Sequence, residues 1–163
     1  MMEAFTANWS LQLLLVIEVA FAMVLGGIIG FERELANKPA GFRTHMLVSG
    51  AAALLVGMGD ALVAKFAEDA GHELIQADPF RIIGAVVSGV SFLGAGTIFR
   101  GGGSGRHVEG LTTAASLLVS ASIGVAVGSR QWITAIGVTL LTLAVLRSLI
   151  LVEDAMARHR KGR

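Results

Sequence analysis

A short charged stretch between two long apolar runs constrains this chain more than any other feature of its sequence. The run from Leu11 to Phe31 contains one ionisable residue, Glu18, and the run from Met46 to Ala64 contains only Asp60. The stretch between them, GFERELANKPAGFRTH, carries the ionisable side chains of Glu32, Arg33, Glu34, Lys38, Arg43 and His45. About 20 apolar residues are needed to cross the hydrocarbon core of a bilayer. The sequence therefore predicts two membrane-spanning helices joined by a charged turn.

Three more uncharged runs extend this pattern: Ile82 to Phe99, Gly110 to Ser129 and Gln131 to Leu146. The hydrophobic share of 54% exceeds the roughly 45–50% that is usual in soluble domains. In hydrocarbon every backbone polar group must be paired within its own segment, which favours helices. We therefore expect an all-α fold, a polytopic membrane bundle of five transmembrane helices in a single domain (1–163). The expected bounds are about 10–31, 44–64, 80–99, 110–129 and 131–152, with a basic tail at 153–163.

Several blocks of the sequence resemble the MgtC/SapB family of bacterial membrane proteins. These blocks are GFERE, KPAG and FRTHMLVSGAA in and after the charged stretch, then DPFRI, SGVSFLGAGTIFR and GLTTAAS further along. Ser91 and Leu118 stand where the family more often has glycine and tryptophan. The resemblance implies a multi-pass protein of the bacterial inner membrane with a regulatory or adaptor role in magnesium homeostasis and adaptation to low magnesium. Longer family members carry a soluble C-terminal domain, for which we expect no room in a chain ending at Arg163.

Lysine and arginine set the orientation of a membrane protein, because loops rich in these residues stay in the cytoplasm. With five helices, ten of the 13 lysines and arginines fall on one side. They are Arg33, Lys38, Arg43, Arg100, Arg106, Arg147, Arg158, Arg160, Lys161 and Arg163. We expect this side to be cytoplasmic, with the N-terminus outside and the C-terminus inside. No basic residue precedes the first apolar run, so we expect that run to remain as a helix rather than be cleaved as a signal peptide.

The charged turn is the first candidate site. Thr44 is placed to cap the second helix. We expect Arg43 to make a charge-assisted bond to Glu32, Glu34 or Glu109. The start of the fourth helix offers N–H groups that favour a carboxylate or an anion near the same place. The candidate cytoplasmic cluster consists of Glu32, Arg33, Glu34, Lys38, Arg43, Thr44, His45, Glu109, Thr112 and Thr113. The alternative is a turn that neutralises its own charge and only fixes topology.

Glu18 is a second candidate, since a carboxylate within the membrane is costly unless it is paired, protonated or hydrated. It belongs either to a path for cations or protons or to a structural hydrogen bond. In both cases we expect it near the middle of the first helix, facing protein or water. A third candidate is the pair Asp78 and Arg81, in which Asp78 can cap the third helix and pair with Arg81.

No cofactor is expected, and the ligands of any metal ion stay undetermined by the sequence. His45 beside Glu32 or Glu34 is one candidate for weak, regulatory or transported Mg²⁺, although this ion prefers oxygen ligands. The alternative is a histidine that makes ordinary hydrogen bonds.

Small residues predict close contacts between helices, as in GxxxG surfaces. The residues concerned are Gly26, Gly30, Gly94, Gly96, Gly124 and Gly128. Such seams lie either within one chain or between copies of a homo-oligomer. The segments GFRT and GLTT, 69 residues apart, each follow a glycine-rich helix end. The pattern therefore allows two parallel hairpin repeats plus a fifth helix, with coincidence among small residues as the alternative.

The chain has no nucleophile–base pair, no zinc-ligand spacing and no cofactor fingerprint, so we expect no enzyme activity. A net charge of +1 gives no signal for nucleic acid. The expected partners are the bilayer, other membrane proteins and further copies of the chain. The alternative function is a channel or transporter for divalent cations or protons. Transport would require a polar cavity connecting Glu18 with Glu32 and Glu34, whereas a regulator can have a dry core.

Overall fold

The computed structural model of the chain describes residues 2–70, 78–100 and 108–161. Within these residues the chain forms five helices and one short antiparallel ribbon. In order they are α1 (Met2–Leu35), α2 (Phe42–Ala70), α3 (Pro79–Gly96), β1 (Phe99–Arg100), β2 (Val108–Glu109), α4 (Leu111–Gly128) and α5 (Trp132–Lys161). The predicted five-helix bundle is confirmed. The ribbon, in which Phe99 pairs with Glu109, was not expected.

The helix bounds differ from the expected ones, and at the end of α3 local hydrogen bonds explain the difference. Helix α3 ends at Gly96 instead of residue 99, because Thr97 closes it by donating from both its backbone N–H and its hydroxyl to the Gly94 carbonyl, at 3.0 and 2.8 Å. Gly110 precedes α4 with a φ of +89°, and a side chain there would overlap the carbonyl oxygen of Thr97. Helix α5 runs on to Lys161, so the described part of the basic tail is helical.

Three of the described helices are long and apolar enough to cross a membrane: Trp9–Leu35 in α1, Phe42–Val63 in α2 and Leu111–Gly128 in α4. Helices α3 and α5 contribute shorter apolar segments, Phe80–Gly96 and Trp132–Ser148. These shorter segments lie at the low end of the lengths that span a bilayer, about 17–25 residues. The chain is a polytopic membrane protein.

The helix directions follow from which residues meet. Gly30 lies against Phe42 and Gly57 lies against Leu15, so α1 and α2 are antiparallel. His45 contacts Ser116 and Val56 contacts Gly128, so α2 and α4 are parallel. The side of the bundle that carries the α1–α2 turn is called the charged-turn side, and the side that carries the α4–α5 turn is called the far side.

Glycines let α2 approach both α1 and α4 closely. A Cβ atom added at Gly26 would lie 2.5 Å from the His45 carbonyl oxygen, and one added at Gly128 would lie 2.7 Å from that of Ala53. A Cβ atom at Gly124 would overlap the carbonyl oxygen of Ser49. These seams lie within one chain, at the centre of the bundle. Gly94 has a looser contact, 3.3 Å to the Ala114 side chain, and Gly96 has none within 4 Å.

The proposed hairpin repeat stays a prediction. The helices run in the directions that it requires, because α1 is antiparallel to α2 and α2 is parallel to α4. The connections differ, however, since α1 and α2 are joined by a tight turn while the ribbon lies between α3 and α4.

Candidate functional site

The turn between α1 and α2 is fixed by backbone and carboxylate hydrogen bonds. Asn37 adopts a left-handed conformation (φ +52°), a role in which Asn is second only to Gly at a helix end. The Lys38 N–H donates to the Arg33 carbonyl at 3.0 Å, and the Phe42 N–H donates to the Glu34 carboxylate at 2.9 Å. Glu34 therefore caps α2 from the neighbouring helix, with its negative charge at the positive end of the α2 dipole.

Thr44 is not the N-cap of α2, which corrects the sequence-based expectation. The His45 N–H donates to the Gly41 carbonyl at 3.2 Å, so the first helical hydrogen bond begins at Gly41. Thr44 lies in the first turn and is exposed. The helix starts at Phe42, before Thr44. This earlier start is stabilised by the Glu34 carboxylate, which accepts a hydrogen bond from the Phe42 N–H.

Glu32 and Arg33 form a buried bidentate ion pair at the end of α1. Arg33 donates through Nε to one carboxylate oxygen of Glu32 at 2.5 Å and through Nη2 to the other at 2.8 Å. The residues are only 5% and 3% exposed. Both charges are therefore compensated locally, by the geometry in which arginine binds a carboxylate most strongly. The pairing of Glu32 that we expected from Arg43 comes instead from Arg33.

The expected bond of Arg43 to a carboxylate is wrong. Its side chain is exposed, and no described acidic group lies within ion-pair distance of it. Five other members of the predicted cluster are also exposed: Glu34, Lys38, Thr44, Glu109 and Thr112. Glu109 lies in β2, and the ribbon carries it away from the core. The buried part of the cluster thus consists of Glu32, Arg33, His45 and Thr113.

His45 is completely buried and connects α2 with α4. Its Nδ1 lies 2.9 Å from the Gly41 carbonyl oxygen, to which it must donate, and its Nε2 lies 3.1 Å from the Ser116 hydroxyl. That hydroxyl also lies 2.8 Å from the Thr113 carbonyl oxygen. The Ser116 hydroxyl donates its single proton to the Thr113 carbonyl. In neutral histidine only one ring nitrogen is a donor, so Nε2 is an acceptor that competes for the same proton. Both ring nitrogens therefore have protein partners.

Two more hydroxyls lie one helical turn further into the bundle. Ser49 and Ser120 are 71 positions apart, the same separation as His45 and Ser116, and their helices are parallel. They therefore lie at one level of the α2–α4 interface. Both are fully buried, and neither hydroxyl has a hydrogen-bond partner. Most buried polar side-chain atoms do have one, so this pair is an unusual feature of the core.

Glu18 faces protein, as expected, with 3% exposure. Its carboxylate lies 3.4 Å from Nε of Arg130, in the α4–α5 turn, although the Arg130 side chain is 65% exposed. The same carboxylate oxygen has no hydrogen bond. Glu18 lies at the middle of α1 (Met2–Leu35), as expected. Its contact with Arg130 of the α4–α5 turn places it towards the far side of the bundle.

An apolar layer separates Glu18 from the buried polar groups of the charged-turn side. Glu18 lies beside Gly57, which is eight residues beyond Ser49 on α2, or about 12 Å. The core between them is formed by Ala22, Ala53, Ile123 and Val127, none more than 1% exposed. Glu18 does not line the groove beside α5 or the groove between α2 and α3.

At the start of α3, Asp78 accepts a hydrogen bond from the Phe80 N–H at 2.9 Å, as its predicted capping role requires. Its carboxylate makes no ion pair with Arg81, which is exposed. Within the described ranges, no group of three His, Asp or Glu side chains is arranged to hold a metal ion.

Sequence reasoning missed Ser116 and Arg130. A signal for Ser116 was present, because Ser116, Ser120, Gly124 and Gly128 repeat every four residues and mark one face of α4. Arg130 gave no such signal. Its pairing with Glu18 depends on a left-handed conformation (φ +59°) in the α4–α5 turn, which arginine rarely adopts.

Comparisons with known proteins agree with this architecture. An uncharacterized protein of Haemophilus influenzae is 35% identical over 151 residues, which are 93% of this chain and 61% of that protein. The putative magnesium transporter YhiD of Escherichia coli is 39% identical over 136 residues, or 80% of this chain and 58% of that protein. Protein MgtC of Brucella abortus is 39% identical over 145 residues, or 87% and 55%. The chain thus spans less than two thirds of the length of these relatives.

No solved structure matches the chain. The model of the MgtC family matches residues 19–155, which include parts of all five helices and every buried polar residue described above except Glu18. The resemblance seen in the charged turn and the glycine-rich blocks is therefore confirmed over most of the sequence. The chain belongs to the MgtC family.

Proposed function

We propose that this chain is a regulatory or adaptor protein of the bacterial inner membrane that acts in magnesium homeostasis and in adaptation to low magnesium. It exerts this role through contacts with other membrane proteins and has no enzyme activity of its own. The observation that carries the proposal is the apolar layer of Ala22, Ala53, Ile123 and Val127. Among the described residues this layer separates Glu18 from Glu32, as expected for a regulator with a dry core.

Large exposed apolar side chains support a role in protein contacts. Phe92 of α3 and Ile133 of α5 are 82% and 89% exposed, and Phe80 is 79% exposed. In a bilayer these faces are covered by lipid tails or by the helices of partners, including further copies of this chain. Nucleic acid is not among the proposed partners. The link to magnesium is supported by the relative named as a putative magnesium transporter, and the regulatory role is our addition.

The second candidate function is transport of divalent cations or protons. It is favoured by one observation, the buried carboxylate oxygen of Glu18 that lacks a hydrogen bond. A relative named as a putative magnesium transporter agrees with it. In this alternative Glu18 would bind the ion, and the apolar layer would have to open during transport.

Replacing Glu18 with glutamine separates the two functions. Glutamine keeps the size and shape of the side chain but cannot carry charge or exchange protons. We expect the Glu18→Gln variant to support growth at low magnesium as well as the unmodified chain does. We also expect no flux of Mg²⁺ or protons into liposomes that contain only the purified protein, with either form.

Liposomes without this protein are the blank for the flux assay. In the growth assay, both forms of the protein must be present in equal folded amounts. Flux through the unmodified chain that disappears in Glu18→Gln would establish transport and overturn the regulatory proposal. Growth that fails in Glu18→Gln without any flux would show that this charge serves regulation.

The orientation in the membrane is a further part of the proposal, because the five-helix topology predicted from the sequence assigns ten of 13 lysines and arginines to the side of the α1–α2 turn. The chain has no cysteine, so single cysteines can be introduced without background. We expect Lys38→Cys to react only with thiol reagents that enter the cytoplasm, and Ser129→Cys to react with impermeant reagents in intact cells. The opposite labelling pattern would reverse the proposed orientation.

A further inference from the structure

A groove of about 370 Å³ lies between α1, α2 and α5 on the charged-turn side. Its α1 wall extends from Val24 to Glu32, about 12 Å along the helix. Val24 and Phe31 on this wall are each 56% exposed, so the groove opens outward, towards the lipid. Leu143 and Arg147 line the α5 wall one helical turn apart. The groove is therefore apolar along most of its length.

The charged end of the groove carries an uncompensated cation. Helices α1 and α5 are parallel, because Phe21 meets Trp132 at 5.5 Å while Glu32 and Arg147 line the same groove further along. Glu32 and Arg147 thus lie at the same end. Glu32 is already neutralised by the two hydrogen bonds from Arg33. Arg147 is exposed and forms no ion pair with any described residue.

The position of Arg147 along its helix places it at a membrane surface. It lies 15 residues from Trp132, about 22 Å along α5, while Trp132 lies beside the α4–α5 turn of the far side. Arginine side chains at such a depth extend their charged end towards the lipid headgroups and leave their apolar stem along the hydrocarbon. An apolar groove that ends in an unpaired guanidinium matches a ligand with an apolar tail and an anionic head.

We propose that this groove binds one anionic phospholipid, with its phosphate on Arg147 and one acyl chain along the wall from Val24 to Phe31. Guanidinium groups bind phosphate through two parallel hydrogen bonds, and basic pockets between transmembrane helices recognise anionic headgroups. A zwitterionic lipid has the same phosphate, but its own ammonium group offsets the charge that Arg147 attracts. This inference does not depend on whether the chain regulates or transports.

The test is native mass spectrometry of the full chain, released from micelles that contain phosphatidylglycerol or phosphatidylcholine in equal amounts. We expect one bound phosphatidylglycerol per chain and weak retention of phosphatidylcholine. Arg147→Gln should lower the affinity for phosphatidylglycerol by about tenfold or more, as expected for the loss of a charge-assisted hydrogen bond. Arg43→Gln removes the same charge from an exposed site on the same side, outside the groove, and should change the affinity much less.

A second variant tests the apolar part of the site without changing charge. Val24→Trp fills the groove from its open side and should displace the lipid as Arg147→Gln does, while Arg147→Lys should retain part of the binding. Glycerol phosphate should not compete, because it lacks the acyl chain.

Equal retention of the two lipids, or equal losses in Arg147→Gln and Arg43→Gln, would overturn the proposal, as would binding that survives Val24→Trp. If Arg147→Gln fails to fold, as judged by size-exclusion chromatography, the result with Val24→Trp decides alone.

Discussion

Replacing Gly124 with alanine is expected to destabilise the bundle by about 1–3 kcal/mol or more, the usual cost of forcing extra atoms into a packed core. The added methyl group would overlap the Ser49 carbonyl oxygen and would lie 2.8 Å from the Ala52 side chain. A backbone carbonyl cannot move aside without shifting the whole of α2. The loss should appear in the free energy of unfolding, measured by denaturant titration in micelles.

Gly137→Ala is the matched control, because nothing lies within 4 Å of the position that its methyl group would take. Gly137 lies inside α5, where alanine is favoured over glycine by roughly 0.5–1 kcal/mol. The same chemical change should therefore have opposite signs at the two glycines. Equal effects would mean that the α2–α4 seam is not packed as described.

Replacing Arg33 with methionine should cost about 3–5 kcal/mol, the range measured when one partner of a buried ion pair is removed. The loss is large because Glu32 would remain 5% exposed without a cation. Protonation or rearrangement of Glu32 would limit it. Unfolding in micelles at neutral pH, in the same assay as for Gly124, gives the value.

Two companion variants show whether pairing is the cause. The double variant Glu32→Gln/Arg33→Met leaves no unpaired buried charge. Its loss of unfolding free energy should therefore be smaller than the sum of the losses in Glu32→Gln and Arg33→Met. Arg43→Gln removes a neighbouring exposed charge and should stay within about 0.5 kcal/mol of the unmodified chain. Additive single and double effects would show that Glu32 and Arg33 do not act as a pair.

The sequence was sufficient to predict the helices, because bilayer length and backbone pairing leave few alternatives for apolar runs of 16 to 20 residues. The glycine seams were predictable for a related reason, since small residues spaced four apart mark one helix face. Periodicity cannot say which helix faces which, however. The meeting of Gly124 with Ser49 depends on the relative position of α2 and α4, which no local pattern encodes.

The charged turn was predicted as a cluster, but its internal pairing was not. Six ionisable groups within fourteen positions allow many pairings of similar local energy. Burial decides among them, because a carboxylate removed from water gains most from a cation that is removed with it. Arg33 is buried beside Glu32 and Arg43 is not, and this difference arises from the rotation of α1 against α2. The partner of Glu18 depended likewise on the backbone conformation of Arg130.

The contact between α2 and α4, at the centre of the bundle, joins segments that are synthesised at different times. Helices α1 and α2 are followed by α3, and only then does α4 arrive with Ser116 and Gly124. Until that moment, the faces of α2 that carry His45 and Ser49 have no protein neighbour from α4 and must be shielded by lipid or water. Polar groups are poorly tolerated in hydrocarbon, so the first hairpin is an incomplete intermediate during synthesis. Assembly of the core thus waits for the fourth helix, whatever the order in which the earlier ones enter the membrane.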